Sequence, residues 1–373
     1  MSKLLAMMMN KKYTRLEYIE TTGTQWINTG ITASQDLRVK TKIYSKSTNN
    51  QSVFCSRSSQ RSNNFALLLV NGYFRPCYDT EYSNSNKTFS INTLYDIDFN
   101  KNNFYVDGEL IKTFTYNTFS NDVSMKIANS INTGEIYYIG RIYPIQIYKN
   151  DILVCDLIPV IRNSDNEIGM LDRVSGIFRT NRGTGKFRVP NEVGYTVVGS
   201  PTIVDGVVSG FGSSDYLKIT QSVSLGSNFE IKTKVVTGSD VTSQRVIFSG
   251  LTGQYINFSI QDGKTQQNIG NGTSWEITQS SQTFGKTTIA TNTTYYLRFT
   301  FDGSAYKLYL STDNINWILD WKYESVNVIP SCQYVWGISR SLSSVAVFNG
   351  SIDIANSYIK QNNKLWFNGQ PAE

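Results

Sequence analysis

Histidine is missing from all 373 residues. That absence excludes the Ser-His-Asp triad, His-ligated zinc and imidazole acid–base catalysis together. Charged residues are scarce at 17%, against about 25% in an average chain. A coiled coil or long helical rod, rich in Glu, Lys and Arg, is therefore excluded. No stretch approaches the roughly 18 apolar residues that a membrane-spanning helix needs, so membrane insertion is not expected. Cysteine is limited to Cys55, Cys77, Cys155 and Cys332, with no CxxC spacing for a zinc knuckle or redox pair. Two readings of Cys55 and Cys77 stay open, a bridge or free buried thiols, and the second fits so low a cysteine content better. The opening Met1–Lys12 carries one short apolar run, Leu4–Met9. It is too short for a signal-peptide core and no small-residue cleavage site follows. It reads as a tail or attachment segment.

What the chain does have is aromatic: 13% of residues, including 23 Tyr and 19 Phe. With abundant β-branched residues, this argues against disorder. The length allows two or three domains. Net charge is 35 − 29 = +6, split unevenly. Through Val189 there are 23 basic and 16 acidic residues, and beyond it 12 and 13. A weakly basic first half beside a neutral second half is not the footprint of a nucleic-acid binder.

Apolar residues alternate with polar ones along much of the sequence, between turns built from Gly, Asn, Asp and Ser. In Leu94–Phe99, Tyr95, Ile97 and Phe99 share one face and Asp96 and Asp98 the other. Asn100–Asn103 turns the chain and Phe104–Gly108 runs back. Tyr295–Phe301 and Tyr306–Leu310 repeat this unit around Asp302-Gly303, a strong hairpin signal. Two further features recur in the same order: Thr22–Ile27 against Ser213–Leu217, and Ile142–Tyr148 against Ile352–Ile359. The spacing of about 190–200 residues is too long for a solenoid. Two divergent copies of one β module are expected, 13–189 and 195–373, joined by a linker at 190–194 where Pro190 and Gly194 break the pattern. Many short strands without alternating helices make each module a sandwich or barrel, and the spacing favours a jelly roll.

The segment Tyr13-Thr-Arg-Leu-Glu-Tyr-Ile-Glu-Thr-Thr-Gly-Thr-Gln-Trp-Ile-Asn-Thr-Gly30 resembles the opening of concanavalin A-like, laminin-G-like jelly rolls. Such domains occur in virion surface proteins of gut bacteriophages, crAss-like phages included, and in surface proteins of gut bacteria. The resemblance continues through Val106–Ile111, Ile158–Phe178 and Thr180–Phe187, and so covers nearly all of Tyr13–Val189. The second module resembles the wider superfamily through Tyr216-Leu217, the Leu297–Leu310 hairpin, Ser311–Trp317 and Gly350–Ile354. It implies an all-β chain of two concanavalin A-like jelly-roll sandwiches in tandem. It further implies a non-enzymatic virion structural protein, a fibre or decoration subunit made in the bacterial host cytoplasm and carried on the virion surface. Expected partners are other virion proteins, further copies of the chain (a trimer by analogy with fibres) and host-surface glycans. The alternatives are a bacterial surface carbohydrate-binding protein, which the missing signal peptide disfavours, and a glycan-degrading jelly roll.

The enzyme alternative needs carboxylates about 5 Å apart, as in Glu-x-Asp-x-Glu on one strand face. Asp96 and Asp98 share a face, but the flanking positions hold Leu94 and Asn100. Asp353 has no acid two residues away either, so no catalytic residue is assigned. Arg179–Phe187 resembles a phosphate loop only faintly: Thr180 stands where the first Gly belongs and Phe187 where Ser or Thr does. It reads as a Gly-rich hairpin. Its cations Arg173, Arg179, Arg182, Lys186 and Arg188 have no acid between them and are candidates for docking an acidic partner. No cofactor is expected. Calcium stays open, because Asp262, Asp302 and Asp313 offer oxygens that also fit plain turns. For sugar contact, which uses flat aromatic faces, the candidates are Tyr73, Tyr78, Tyr82 and Trp275 in polar surroundings. Trp317 and Trp336 read as core.

Overall fold

The computed structural model describes residues 12–57, 62–130, 136–190, 192–277, 283–338, 346–362 and 364–372. The expected attachment segment, Lys12 apart, lies outside them. Among the described residues no helix is long and apolar enough to cross a membrane. The chain divides between Pro190 and Asn191 into two compact units. Val193 and Gly194, expected in a linker, belong to the second unit. Val193 is 2% exposed within its core, and its N–H donates to the Trp366 carbonyl.

Each unit is a jelly-roll sandwich of two antiparallel sheets in which strands distant in sequence lie side by side. In the first unit an 11-stranded sheet faces a 6-stranded one. The Leu37–Ser45 strand lies between Leu94–Asn100 and Ile145–Lys149. The sheets meet through aromatic contacts, among them Phe65 from the smaller and Phe99 from the larger, 4.3 Å apart. In the second unit a 7-stranded sheet faces an 8-stranded one. There Phe229–Val236 lies between Thr294–Phe301 and Ser351–Gln361. One core unites Ile231 and Phe299 from this sheet with Phe248 and Phe258 from the other.

The repeat is therefore structural. In both units a hairpin strand, a central strand and a late strand follow the same order. Strict alternation produces this arrangement, because every second residue of Thr294–Phe301 and Phe229–Val236 is buried. Both hairpins form where the pattern places them, turning at Asn100–Asn103 and between Phe301 and Tyr306.

The four cysteines are free and buried. A Cys55–Cys77 bridge is excluded by register: Cys55 stands opposite Ala66, and Ala66 opposite Cys77. Two strand spacings separate them, roughly 9–10 Å, beyond the roughly 7 Å that a disulfide can span. Burial pushes the Cys77 thiol up to about 12, which leaves it inert as a nucleophile.

Candidate ligand-binding face

The residues singled out in the sequence fall in several places. Tyr78 is fully buried, packed against Phe65, Phe114 and Phe119. It is a core residue and no ligand contact, because Tyr73–Asp79 turns Phe74, Pro76 and Tyr78 inward together. Tyr73 and Tyr82 are 38% and 49% exposed on the opposite face, beside Arg75, at the edge of the smaller sheet. They are spaced by about four residues along the strand direction, about 13 Å. Trp275 is half-buried on an edge strand of the second unit. The four do not form one site.

The cationic stretch is also less free than its sequence implies. Arg173 holds Asp156 at 2.6 Å, and Arg179 lies 3.7 Å from Asp172 and donates to the Asn28 carbonyl. Lys186 and Arg188 are half-buried, while Arg182 and the ion-paired Arg173 are exposed. The acids absent from the stretch itself come from the neighbouring strands. The expected hairpin does not form: after Phe178–Thr180 the chain continues as a loop bonded to Glu20, Thr24 and Trp26. A Cβ on Gly183 would stand 1.8 Å from the Thr24 carbonyl oxygen, which accepts the Thr184 N–H at 3.2 Å. Gly183→Ala is expected to destabilise the first unit by about 2–3 kcal/mol, read as a lower urea midpoint with unchanged slope.

The calcium candidates do not converge. Asp302 and Asp313 sit at opposite ends of Ala305–Ser311. Each carboxylate already accepts from its own turn: Asp302 from Ser304, Ala305 and Lys307, Asp313 from Ser311, Ile315 and Asn316. These donors hold both well below the ordinary carboxylate range. Among the described residues no cluster of three or more His, Cys, Asp or Glu is placed to hold a metal.

The outer faces of the two larger sheets differ in a telling way. In the first unit a groove of about 470 Å³ is lined by Arg15, Lys40, Lys42, Asp96, Asp98 and Arg173, among others. Arg15 apart, its charges are matched locally. Asp98 is gripped by Arg38 through two contacts of 2.9 and 2.6 Å, and Asp96 lies 3.5 Å from Lys42. The carboxylate pair weighed for catalysis is thus ion-paired across the strand.

In the second unit the equivalent face is aromatic and cationic. Trp317 is not core: it is half-buried, just after the Ala305–Ser311 strand, and packs on this face. The Arg298 guanidinium lies 4.6 Å from the Tyr309 ring and 4.7 Å from that of Trp317. Lys232 Nζ lies 5.5 Å from Trp317, 5.9 Å from Tyr358 and 6.0 Å from Tyr296. Burial holds the Lys232 ammonium below its usual range, the Glu230 carboxylate acting against this and Arg298 with it. The contacts arise because outward positions of adjacent strands fall in register: Lys232 opposite Arg298, Arg298 opposite Tyr309, and Lys232 opposite Tyr358. Four half-exposed rings with two cations can stack on a flat ligand and attract negative charge. Alternation could have identified each outward position, but not the register that joins them.

No protein-family model matches the chain, and no curated protein does. Among solved structures it is similar to laminin G-like jelly rolls. Domains LG4-5 of the mouse laminin alpha1 chain share 12% identity, with 96% of this chain and 92% of that one covered and a TM-score of 0.34. The LG1-3 region of the laminin alpha2 chain shares 8%, with 95% and 67% covered and a TM-score of 0.33. The binding domain of botulinum neurotoxin DC, in complex with SialylT, shares 11% over 55% of this chain and 46% of that one, at 0.32. The overlaps are loose, and the fold stands on the strand pairing above.

Proposed function

We propose that the chain is a non-enzymatic glycan-binding protein whose contact surface is the aromatic face of the second jelly roll. The observation that carries this reading is the gathering of Tyr296, Tyr309, Trp317 and Tyr358, all half-exposed, around Lys232 and Arg298 on a single sheet face. Pyranose rings present C–H faces that stack on such rings, while the cations serve hydroxyl or charged substituents. Non-enzymatic status is part of the proposal, and the ion-paired Asp96 and Asp98 are consistent with it. Placement on a bacteriophage virion, as a fibre or decoration subunit, rests on the resemblance of Tyr13–Val189 to such jelly rolls. In that setting, several copies would multiply weak affinities through effective concentration.

Screening of the purified chain against immobilised oligosaccharides tests the reading. Trp317→Ala is expected to weaken binding at least roughly tenfold, about 1.4 kcal/mol, with little change in the unfolding midpoint. Binding unaffected by this substitution would place the site elsewhere. Catalytic turnover of any bound sugar, abolished in Asp96→Asn or Asp98→Asn, would overturn the non-enzymatic part.

A further inference from the structure

The aromatic face carries a charge imbalance that its matching surface in the first unit lacks. Phe99 pairs with Val39, and Phe301 with Phe229. Counting three residues from each pair reaches Lys42 opposite Asp96 in the first unit and Lys232 opposite Arg298 in the second. The register is the same, but an acid has been replaced by a base. Like charges directly opposed across antiparallel strands are destabilising, and Glu230, the acid that favours the Lys232 charge, makes no ion pair with either cation.

The acids of this face have other partners. Asp353 stands opposite Lys234 and pairs with it at 3.1 Å. Glu230 stands opposite Lys360 and accepts the Tyr358 hydroxyl. Among the described residues neither Lys232 nor Arg298 has a carboxylate oxygen within 4.0 Å. The Arg298 Nε is moreover buried without a hydrogen-bond partner. A cost of this kind, placed beside stacking rings on an outer surface, is the signature of a site completed by its ligand.

We propose that Lys232 and Arg298 together bind the anionic substituent of an acidic glycan, a uronate carboxylate or a sulfate ester. The proposal deepens the glycan reading and rests on it. The ligand's anion supplies the negative charge that Asp96 gives Lys42 in the first unit. It turns a repulsion into charge-assisted hydrogen bonds, strengthened because the flanking rings keep water away. The first unit, with this pair matched internally, does not share this preference.

The first unit also supplies the test variant. Arg298→Asp recreates the Lys42–Asp96 pairing, so it should leave the unfolding midpoint of the full chain equal or higher. It should nevertheless weaken binding of acidic oligosaccharides at least roughly a hundredfold. Arg298→Gln, which adds no charge, serves if the first variant fails to fold. The panel contains neutral, uronate-bearing and sulfated oligosaccharides, measured at several NaCl concentrations. A separate arm measures thermal stabilisation by millimolar sodium sulfate against NaCl of equal ionic strength.

Selective, salt-sensitive binding of one acidic class, lost in Arg298→Asp, supports the proposal, and the class bound identifies the anion. Equal binding of neutral and acidic sugars, indifferent to both variants, overturns it and leaves the glycan reading intact. Stabilisation by sulfate with no oligosaccharide bound overturns the glycan reading, and this proposal with it.

Discussion

Truncating Phe299 to alanine is expected to cost the second sandwich about 3–5 kcal/mol. Phe299 is 1% exposed. It lies 5.8 Å from Phe229, 5.9 Å from Tyr306, 6.3 Å from Trp321 and 6.4 Å from Phe258. It is the point where rings from both sheets meet, so neighbours cannot collapse into the gap without moving a strand. Such a loss corresponds to a fall in melting temperature of roughly 6–20 °C for a unit of this size. Calorimetry on the full chain reads it directly. A drop of under about 1 kcal/mol would mean that the two sheets do not pack through this stack. Binding at the outer face should survive in the folded fraction, since Arg298 and Thr300 point away from Phe299.

The second large effect is expected at Asp172 in the first sandwich. Its side chain is 2% exposed. It accepts from the Asp156 and Val174 N–H groups at 3.0 and 3.1 Å and from the Ser175 hydroxyl at 2.6 Å, with Arg179 at 3.7 Å. Asp172→Ala leaves buried donors unmatched and a half-buried arginine without its acid, a loss of about 3 kcal/mol or more. Burial on its own raises this carboxyl's pKa. The backbone N–H of Asp156, the Ser175 hydroxyl, the Val174 N–H and Arg179 together outweigh it, and the net shift is downward. A carboxyl depressed in the folded state contributes stability above its unfolded value, near pH 4. That contribution is lost as pH falls through the lower folded value. Wild-type and Asp172→Ala stabilities should therefore converge on acidification below about pH 4. A constant gap across that window would show that the contribution does not depend on ionisation.

Much of this was legible in the linear chain because it rests on local physics. Absent histidine removes whole classes of chemistry without reference to a fold. Alternation in Leu94–Phe99 and Tyr295–Phe301 assigns each side chain to one face of a strand, since β side chains point alternately to either side. The Asp302-Gly303 turn closes its hairpin for the same local reason. The recurrence of hairpin and late strand at a long offset revealed the duplication. Each of these signals is carried by residues within a few positions of one another.

The site was decided by pairings between distant residues, and no local signal encodes those. Tyr78 and Tyr82 both stand in polar sequence, yet Tyr78 is core because Tyr73–Asp79 turns its even positions inward, while Tyr82 lies on the next strand opposite Cys77 and is exposed. Trp317 reads as core by its residue type, but Arg298 and Lys232, 19 and 85 positions earlier in the chain, draw it onto an outer face. Arg173 and Arg179 appear free in sequence, while Asp156 and Asp172 neutralise them from adjoining strands. Most of all, the meaning of Lys42 and Lys232 depends on the residue opposite: Asp96 for one and Arg298 for the other. Composition and alternation determined that this chain is a pair of β-sandwiches with polar outer faces. Register, set by the packing of whole sheets, decided that one face has matched charges and the other has an open cationic pair among aromatic rings.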